Sequence, residues 1–258
     1  MLVYRYSAAL LVAFGVLAAT SAVPAVAGSI NYGNVAAQTV VYQNVTESSL
    51  DPLPLYGTPS ASGNSLQFTP PNFEAQSLDG SVNFVDGTLN TSIVANPNQG
   101  INTISVAEAG DFTLEGTGAY ATISAPIFLR IDDVNGAPLI SPITYSTNLL
   151  FTSGAGGAGS FQTPGDAGVG TIWTGSISVD LNAILAAHNM GGNVTQVQWT
   201  MDNSLTAYAP SGGISFIKKK DIGGVALTVQ TGGIPEPSSV ILAALGFVGL
   251  LYAARKRM

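Results

Sequence analysis

Residues 196–201, with the sequence Gln-Val-Gln-Trp-Thr-Met, alternate strictly between polar and apolar side chains. Val197, Trp199 and Met201 therefore share one side of an extended chain, while the polar residues between them share the other. An alternation with a period of two is typical of a strand that is buried on one face and solvated on the other. The stretch predicts a β-strand whose apolar face lies in a core.

The same alternation returns many times along the chain, with turn-forming residues between the runs. The 258 residues include 30 Gly and 14 Pro, which suits many short strands joined by turns. This pattern predicts an all-β fold, an antiparallel β-sandwich of jelly-roll type. Besides 196–201, the predicted strands cover residues 82–84, 89–94, 101–106, 112–114, 119–124, 127–131, 145–151, 172–179, 214–217 and 225–229.

One short helix is predicted inside this sandwich. Asp180 can cap the N-terminus of a helix over residues 181–190, whose leucine and isoleucine side chains share one face. The Gly-Gly pair at residues 191–192 would end it.

The composition excludes several classes of function. Hydrophobic residues make up 46% of the chain and charged residues 9%, so a sizeable core can form. The absence of cysteine excludes disulfide bonds, thiol catalysis and thiolate metal sites. Residues 28–234 carry four basic and 14 acidic side chains, a formal net charge of 4 − 14 = −10. This region should be repelled by nucleic acid, whose binding depends on Lys and Arg neutralising phosphates.

The N-terminus has the organisation of a cleavable secretion signal. Arg5 is followed by an unbroken apolar run over residues 8–19, and then by Ala25 and Ala27 in a small-x-small pattern. These 12 apolar residues would rise about 18 Å as a helix, well short of a hydrocarbon core of about 30 Å. We predict a signal helix and signal peptide over residues 1–27, cleaved after Ala27.

The C-terminus carries a second apolar segment. Residues 238–254 begin with two serines, continue as an unbroken apolar run, and are followed by Arg255, Lys256 and Arg257. Basic residues beside a membrane segment stay cytoplasmic, so the domain before it should lie on the outer side. We therefore predict a transmembrane helix over residues 238–254 that attaches the exported domain to the membrane.

The two ends define the organisation of the chain. The predicted parts are a signal peptide at 1–27, an exported domain at 28–230 and a C-terminal signal at 231–258, which comprises a linker, the membrane helix and the basic end. Prolines in the linker hold the chain extended and accessible to proteases.

Pro235, Glu236 and Pro237 stand directly before the C-terminal apolar segment. The order of tripeptide, apolar helix and basic end at the extreme C-terminus resembles the PEP-CTERM sorting signal. The resemblance implies recognition by an exosortase, a membrane-embedded protease-like enzyme of Gram-negative-type bacteria that make exopolysaccharide. It also implies attachment to the inner membrane during sorting, followed by delivery to the cell surface or the extracellular space. The same tail is also labelled an ice-binding protein C-terminal domain.

Acidic and aromatic residues are the candidates for sugar chemistry. Glu108, Asp111 and Glu115 are close in sequence and could supply the paired carboxylates of a glycosidase, although the first two suit a turn between strands. Trp199 is predicted in the core by its position on an alternating apolar face. Trp173 suits an exposed or a buried position equally well, and an exposed tryptophan could stack on a sugar ring.

Basic and imidazole side chains offer little chemistry. Residues 218–220 are three consecutive lysines, predicted to lie at a solvated strand end whose charge prevents sheet-to-sheet pairing. Contact with an acidic polysaccharide is the alternative for this patch. His188 is the single histidine, and neither a usual zinc site nor a catalytic triad can be built around it.

One loop has the composition of a calcium ligand set. Asp132, Asp133 and Asn135 offer oxygen ligands beside Gly136, and calcium prefers such ligands. The same residues also favour a plain hairpin turn. Calcium at this loop is the single cofactor hypothesis, and no catalytic residue is assigned.

The sequence therefore favours an exported surface or extracellular-matrix protein with a non-enzymatic β-sandwich as its structural or interaction domain. Its expected partners are an exosortase-type enzyme, the membrane and exopolysaccharide, but not nucleic acid. Three alternatives stay open: a carbohydrate-binding module, a glycoside-active enzyme and an ice-binding protein. An exposed row of aromatic residues on one sheet would favour the first, facing carboxylates the second, and a flat threonine-rich face the third.

Overall fold

The computed structural model describes residues 27–220 and 224–234, and within them it contains 18 strands and one helix. The predicted all-β antiparallel sandwich with one short helix is confirmed. The strands are β1 (Gly28–Ala36), β2 (Val40–Ser49), β3 (Ser60–Ser62), β4 (Ser65–Phe68), β5 (Glu74–Ser77), β6 (Val82–Ala95), β7 (Gln99–Glu115), β8 (Tyr120–Ser124), β9 (Pro126–Val134), β10 (Ala137–Asn148), β11 (Leu150–Phe151), β12 (Ser153–Gly154), β13 (Gly157–Ala158), β14 (Ser160–Gln162), β15 (Gly168–Asp180), β16 (Val194–Tyr208), β17 (Ile214–Lys219) and β18 (Val225–Gly233). The helix is α1 (Leu181–Ala187).

One layer of the sandwich, sheet I, is built around β16. One edge of β16 pairs antiparallel with β6, which is followed outward by β2 and β1. The other edge pairs with β9 along its first half and with β8 along its second half. β10 extends the sheet beyond β9, and β14 extends it beyond β8. This layer therefore presents a wide face to solvent.

The second layer, sheet II, is built around β7 in a similar way. β15 pairs with one edge of β7, and β11 adds two residues to β15. The other edge of β7 pairs with β18 along its first half and β17 along its second half. β4 and β3 follow β18, and β5 follows β17. A single ladder pair, Val194 with Ile101, joins sheet II to sheet I.

The core lies between the two sheets. Val197, Trp199 and Met201, the apolar face predicted from the sequence, are fully buried. From the facing layer, Phe112 of β7 stacks on Phe161, with ring centroids 4.2 Å apart. Removing such side chains from water is the main favourable contribution to folding in a chain without disulfides.

The helix forms where it was predicted but ends three residues earlier than the predicted end at residue 190. Asp180 Oδ1 accepts hydrogen bonds from the backbone N–H groups of Asn182 at 2.9 Å and Ala183 at 3.1 Å, which confirms the N-cap. His188 is the C-cap, and Asn189 then adopts a left-handed conformation with φ of 56°. The chain therefore leaves the helix before it reaches the glycine pair.

Asp180→Ala is expected to lower the free energy of unfolding by about 1 kcal/mol, because two helix N–H groups lose their acceptor. Urea unfolding of the purified protein measures this change. Asn182→Ala is the matched control, because it alters an exposed residue of the same turn and leaves the cap intact. Equal losses in the two variants would contradict the cap assignment.

The prediction for residues 101–114 was wrong in one respect. A turn was expected around Glu108 and Asp111, but β7 runs through both as one strand of 17 residues. Glu108 points into the core, where its carboxylate accepts a hydrogen bond from Lys219. Gly110 leaves room for the indole of Trp173. Glu108 and Gly110 therefore contribute to the core and do not form a turn.

The hydroxyl groups of two buried tyrosines donate hydrogen bonds to backbone carbonyl groups. Tyr56 donates to Gly87 O at 2.7 Å, and Tyr42 donates to Asn64 O at 2.6 Å. Burial raises the pKa of both Tyr56 and Tyr42 above the usual value of about 10. For Tyr56, the negative charge of Glu108 raises the pKa further.

Alkaline pH is expected to destabilise the fold through these tyrosines. Because the folded pKa lies above the unfolded one, their stabilisation is complete below about pH 10 and is lost as pH rises further, by about 1.4 kcal/mol per pH unit for each tyrosine. Urea unfolding at pH 8 and pH 11 measures the loss, and the loss should be smaller in Tyr42→Phe. The same pH dependence in both proteins would contradict the assignment.

The strands occupy the region between the two predicted terminal signals. β1 begins at Gly28, directly after the predicted cleavage site, and β18 continues to Gly233, three residues past the predicted boundary at 230. Ile234 N donates to Asn98 O at 2.9 Å, so backbone pairing reaches the residue before Pro235. The other sites predicted at the termini lie outside the described residues: the signal helix, Ala25, Pro235, Glu236, Pro237, the helix at 238–254, Arg255, Lys256 and Arg257.

Candidate binding site

The solvent-facing side of sheet I, here called the outer face, is set by the alternation of its strands. In β16 every second residue from Val197 to Ala207 is fully buried, so the residues between them face outward. Ladder partners point to the same side of a sheet. The partners of the outward residues of β16 on β6, β8 and β9 therefore complete this face.

A groove on the outer face lies where β16, β9 and β10 run side by side. Phe128 stands opposite Thr200 on one side and Ser146 on the other, and its side chain is 52% exposed. In the next row Arg130 lies between Gln198 and Thr144. The groove has a volume of about 510 Å³ and is lined by Phe128, Leu129, Arg130, Thr144, Tyr145, Ser146, Gln198 and Thr200. We call it the Phe128 groove.

The chemistry of the Phe128 groove is one exposed aromatic ring beside hydroxyl, amide and guanidinium groups. Thr200 Oγ1 donates to Asn90 Oδ1 at 2.6 Å, which fixes one of these groups from the neighbouring strand. Arg130 Nε donates to Asp132 Oδ1 at 2.7 Å, so its positive charge is balanced within the same strand. An apolar platform ringed by neutral or neutralised polar groups suits a ligand that has both apolar and hydroxyl surfaces.

A second aromatic group lies further along the outer face. Phe84 of β6 is 55% exposed and stands opposite Thr206. Tyr208 and Tyr120 are ladder partners whose ring centroids lie 5.3 Å apart. We call these three rings the distal aromatic cluster.

Carboxylates lie on the outer face between the two aromatic groups. Asp202 accepts a hydrogen bond from Thr88 Oγ1 at 3.0 Å, and Asp86 N donates to Asp51 Oδ2 at 3.0 Å. Partial burial, followed by the negative charges of Asp202 and Asp51, raises the pKa of Asp86. This part of the face is therefore acidic.

Three polar side chains meet inside the core rather than on the surface. Lys219 Nζ donates to Glu108 Oε2 at 2.6 Å and to Asn203 Oδ1 at 3.0 Å, while Asn203 Nδ2 donates to Glu108 Oε1 at 2.7 Å. The exposed fraction is 3% for Glu108, 1% for Lys219 and 0% for Asn203. This interior cluster joins β7 and β17 of sheet II to β16 of sheet I.

Lys219 is buried among aromatic side chains. Its Nζ lies 5.0 Å from the ring centre of Phe73 and 5.6 Å from that of Trp173. Burial lowers the pKa of Lys219, while the charge of Glu108 and the hydrogen bond to it act in the opposite direction. A closed cluster with its partners supplied from within has no group left for a ligand, so we assign it to structure.

The prediction for the lysine stretch at residues 218–220 was wrong for its central residue. Strand alternation turns Lys219 into the core, while Lys218 and Lys220 keep partial exposure. The three lysines therefore do not form one basic patch. The buried charge of Lys219 is not available for contact with an acidic polysaccharide.

The other candidate residues lie apart from one another or are buried. On β7, Glu108 points inward whereas Asp111 and Glu115 lie on the opposite side of the strand, so the three carboxylates do not face each other. Trp199 is buried as predicted, and Trp173 is buried as well. Neither tryptophan is available for stacking on a sugar.

The calcium hypothesis stays a prediction, and the geometry of its loop is a hairpin turn. Asp132 is paired with Arg130, and Asn135 Oδ1 accepts from Asn193 N at 2.8 Å. Asn135 and Gly136 both have positive φ between β9 and β10, as a two-residue turn requires. Within residues 27–220 and 224–234, no group of three or more His, Cys, Asp or Glu side chains is placed to hold a metal ion.

Sequence reasoning missed the Phe128 groove, although one signal for it exists. In the predicted strand 127–131, Phe128 and Arg130 alternate with three apolar residues that form the buried face. A phenylalanine on the polar side of such a strand is an exposed ring. Its ladder partners Ser146 and Thr200 belong to β10 and β16, and the register of these strands with β9 places them beside the ring.

Comparison with protein families concerns the C-terminus. Residues 233–257 match the family model described as the PEP-CTERM protein-sorting motif. The chain carries a PEP-CTERM sorting motif. The motif indicates export, processing by exosortase-type sorting machinery and membrane-associated sorting toward the cell surface. It covers 25 of the 258 residues of the chain, so it does not describe the sandwich.

The chain has distant similarities among solved structures. A structure of TmCBM61 in complex with β-1,4-galactotriose is 10% identical, with 64% of this chain and 70% of that chain covered and a TM-score of 0.19. The Trichoderma harzianum endoglucanase 3 of family GH12 is 9% identical, with 79% and 98% covered and a TM-score of 0.22. The enzymatically active domain of tailspike protein 4 of bacteriophage CBA120 is 9% identical, with 80% and 19% covered and a TM-score of 0.21. TM-scores this low do not establish a common fold.

The search of curated proteins found no match to this chain. In the part of the chain that the structure describes, no helix combines the length and the apolar character needed to span a membrane.

Proposed function

We propose that the domain between the two terminal signals is a non-enzymatic surface or matrix protein that binds extracellular polysaccharide through the Phe128 groove. The sorting motif supports delivery to the outside of the cell, where such polymers are found. The observation that carries the proposal is the exposed ring of Phe128 beside Gln198 and Thr200 on the outer face of sheet I.

Sugars are suited to this arrangement because a pyranose ring has apolar C–H faces and polar edges. The C–H face can pack on the ring of Phe128, and the edge hydroxyls can exchange hydrogen bonds with the side chains of Thr144, Ser146 and Gln198. These side chains belong to strands, which hold them more precisely than loops would. The groove is therefore preformed for an extended ligand.

After cleavage of the signal peptide, the membrane helix at 238–254 would hold the domain at the outer side of the inner membrane until an exosortase acts near Pro235. Because backbone pairing reaches Ile234, the sorting tripeptide follows directly after the folded part. Release there would deliver the complete sandwich to the cell surface or the exopolysaccharide.

Phe128→Ala is expected to weaken polysaccharide binding about tenfold or more, because it removes the central aromatic contact. Affinity gel electrophoresis of the purified full chain, in a detergent without a sugar headgroup, measures binding to dextran, galactomannan, hydroxyethylcellulose and alginate. Phe216→Ala is the matched control, because Phe216 is a phenylalanine on the solvent side of sheet II.

Two results would overturn the proposed function. One is the absence of binding to every polysaccharide, and the other is equal binding by Phe128→Ala and the unaltered protein. Release of reducing sugar from a bound polymer would contradict the non-enzymatic role.

A further inference from the structure

The distal aromatic cluster lies on the same face as the Phe128 groove, and β16 connects the two. Phe128 is in the ladder row of Thr200, and Phe84 is in the row of Thr206. Six residues of strand separate these rows, which corresponds to about 20 Å. The two aromatic groups are therefore separate platforms on one continuous surface.

We propose that the outer face of sheet I binds one extended chain of neutral polysaccharide, which runs along β16 and contacts both the Phe128 groove and the distal aromatic cluster. This inference rests on the proposed function and adds to it a second contact region and a class of sugar.

The surface between the platforms leaves room for such a chain. Its side chains along β16 are Asp202, Ser204 and Thr206, and they are flanked by Thr88 and Asp86 on β6 and by Ser124 and Thr122 on β8. All seven are short, so none of them would obstruct a chain between the two aromatic platforms. Hydroxyl and carboxylate oxygens also accept hydrogen bonds from sugar hydroxyls at each step.

The charge of this surface selects a neutral polymer. Arg130 is the single basic residue in the strands of sheet I, and Asp132 balances it. Asp86 and Asp202 lie between the platforms, and the region 28–234 carries a formal net charge of 4 − 14 = −10. A uronic-acid polymer would be repelled along the whole path, whereas a neutral sugar can donate hydroxyl hydrogen bonds to the carboxylates.

The test compares a polymer with a short fragment of the same sugar. The purified full chain, in a detergent without a sugar headgroup, is titrated with the neutral polysaccharide that it binds best and with the corresponding disaccharide, which cannot span about 20 Å. Phe84→Ala is expected to weaken polymer binding about tenfold and to leave disaccharide binding unchanged, because it removes one of two linked contacts. Phe128→Ala is expected to weaken both.

The outcomes separate this inference from the proposed function. If Phe84→Ala binds the polymer as tightly as the unaltered protein while Phe128→Ala binds weakly, the second contact region is wrong and the proposed function stands. If Phe128→Ala has no effect, the proposed function itself is wrong. Alginate binding as tight as that of the neutral polymer would overturn the class of sugar. Phe216→Ala should bind every probe like the unaltered protein.

Discussion

Lys219→Met is expected to lower the free energy of unfolding by about 3–5 kcal/mol, the largest loss predicted for this protein. The substitution keeps the length and the apolar stem of the side chain but removes the charge. Glu108 would then be left as a buried carboxylate without its cation, and Asn203 would lose a donor. Urea unfolding followed by far-UV circular dichroism measures the change.

Two further variants separate charge from packing. Lys218→Met alters the preceding lysine, which lies on the solvent side of sheet II in register with Asp111, and should cost less than about 1 kcal/mol. The double variant E108Q/K219M removes both charges and should recover most of the lost stability, because no unpaired charge then stays buried. Equal losses for Lys219→Met and Lys218→Met would contradict the interior cluster.

Gly110→Ala is expected to lower the free energy of unfolding by about 3 kcal/mol or more. A Cβ at this position would overlap the carbonyl oxygen of Lys218 on the neighbouring strand and the indole ring of Trp173. Neither partner can move easily, because one is strand backbone and the other is a fully buried ring. The measurement is again urea unfolding of the purified protein.

Gly191→Ala is the matched control for this prediction. A Cβ there would meet no atom within 4 Å, and the backbone of Gly191 is not in the left-handed region. The control should therefore unfold within about 0.5 kcal/mol of the unaltered protein. A Gly110→Ala protein as stable as the Gly191→Ala protein would show that the indole does not pack on the strand at this point.

Much of the architecture could be predicted because the alternation of polar and apolar residues in a strand is visible in the local sequence. The alternation at residues 196–201 identified the central strand of sheet I and its buried face. Asp180 likewise predicted the start of α1, since a cap depends on residues two and three positions away. Both predictions used local information alone, and both are confirmed.

The errors occurred where distant residues compensate for a locally unfavourable one. Lys219 and Glu108 each suggest exposure when considered alone, yet they lie 111 positions apart and neutralise each other in the core. Gly110 suggests a turn until Trp173 is placed against it. No local pattern contains these partners, because the pairing of β7 with β15 and β17 creates them.

The candidate site likewise combines features that depend on local residues with features that depend on distant ones. The exposed position of Phe128 follows from the alternation of β9, which the sequence shows. The distance between Phe128 and Phe84 depends on the register of β16 with β6 and β9. The absence of basic side chains between these two residues depends on the same register. The sorting motif, by contrast, was found from the sequence, because its tripeptide, apolar run and basic end are contiguous.

A titration of the isotopically labelled protein with a neutral oligosaccharide, followed by the chemical shifts of backbone amides, tests whether the outer face is the binding surface. If it is, the largest shift changes should occur at Phe128, Arg130, Gln198 and Thr200 and should extend along β16 toward Thr206 as the oligosaccharide lengthens. Shift changes confined to the solvent side of sheet II or to α1 would contradict it.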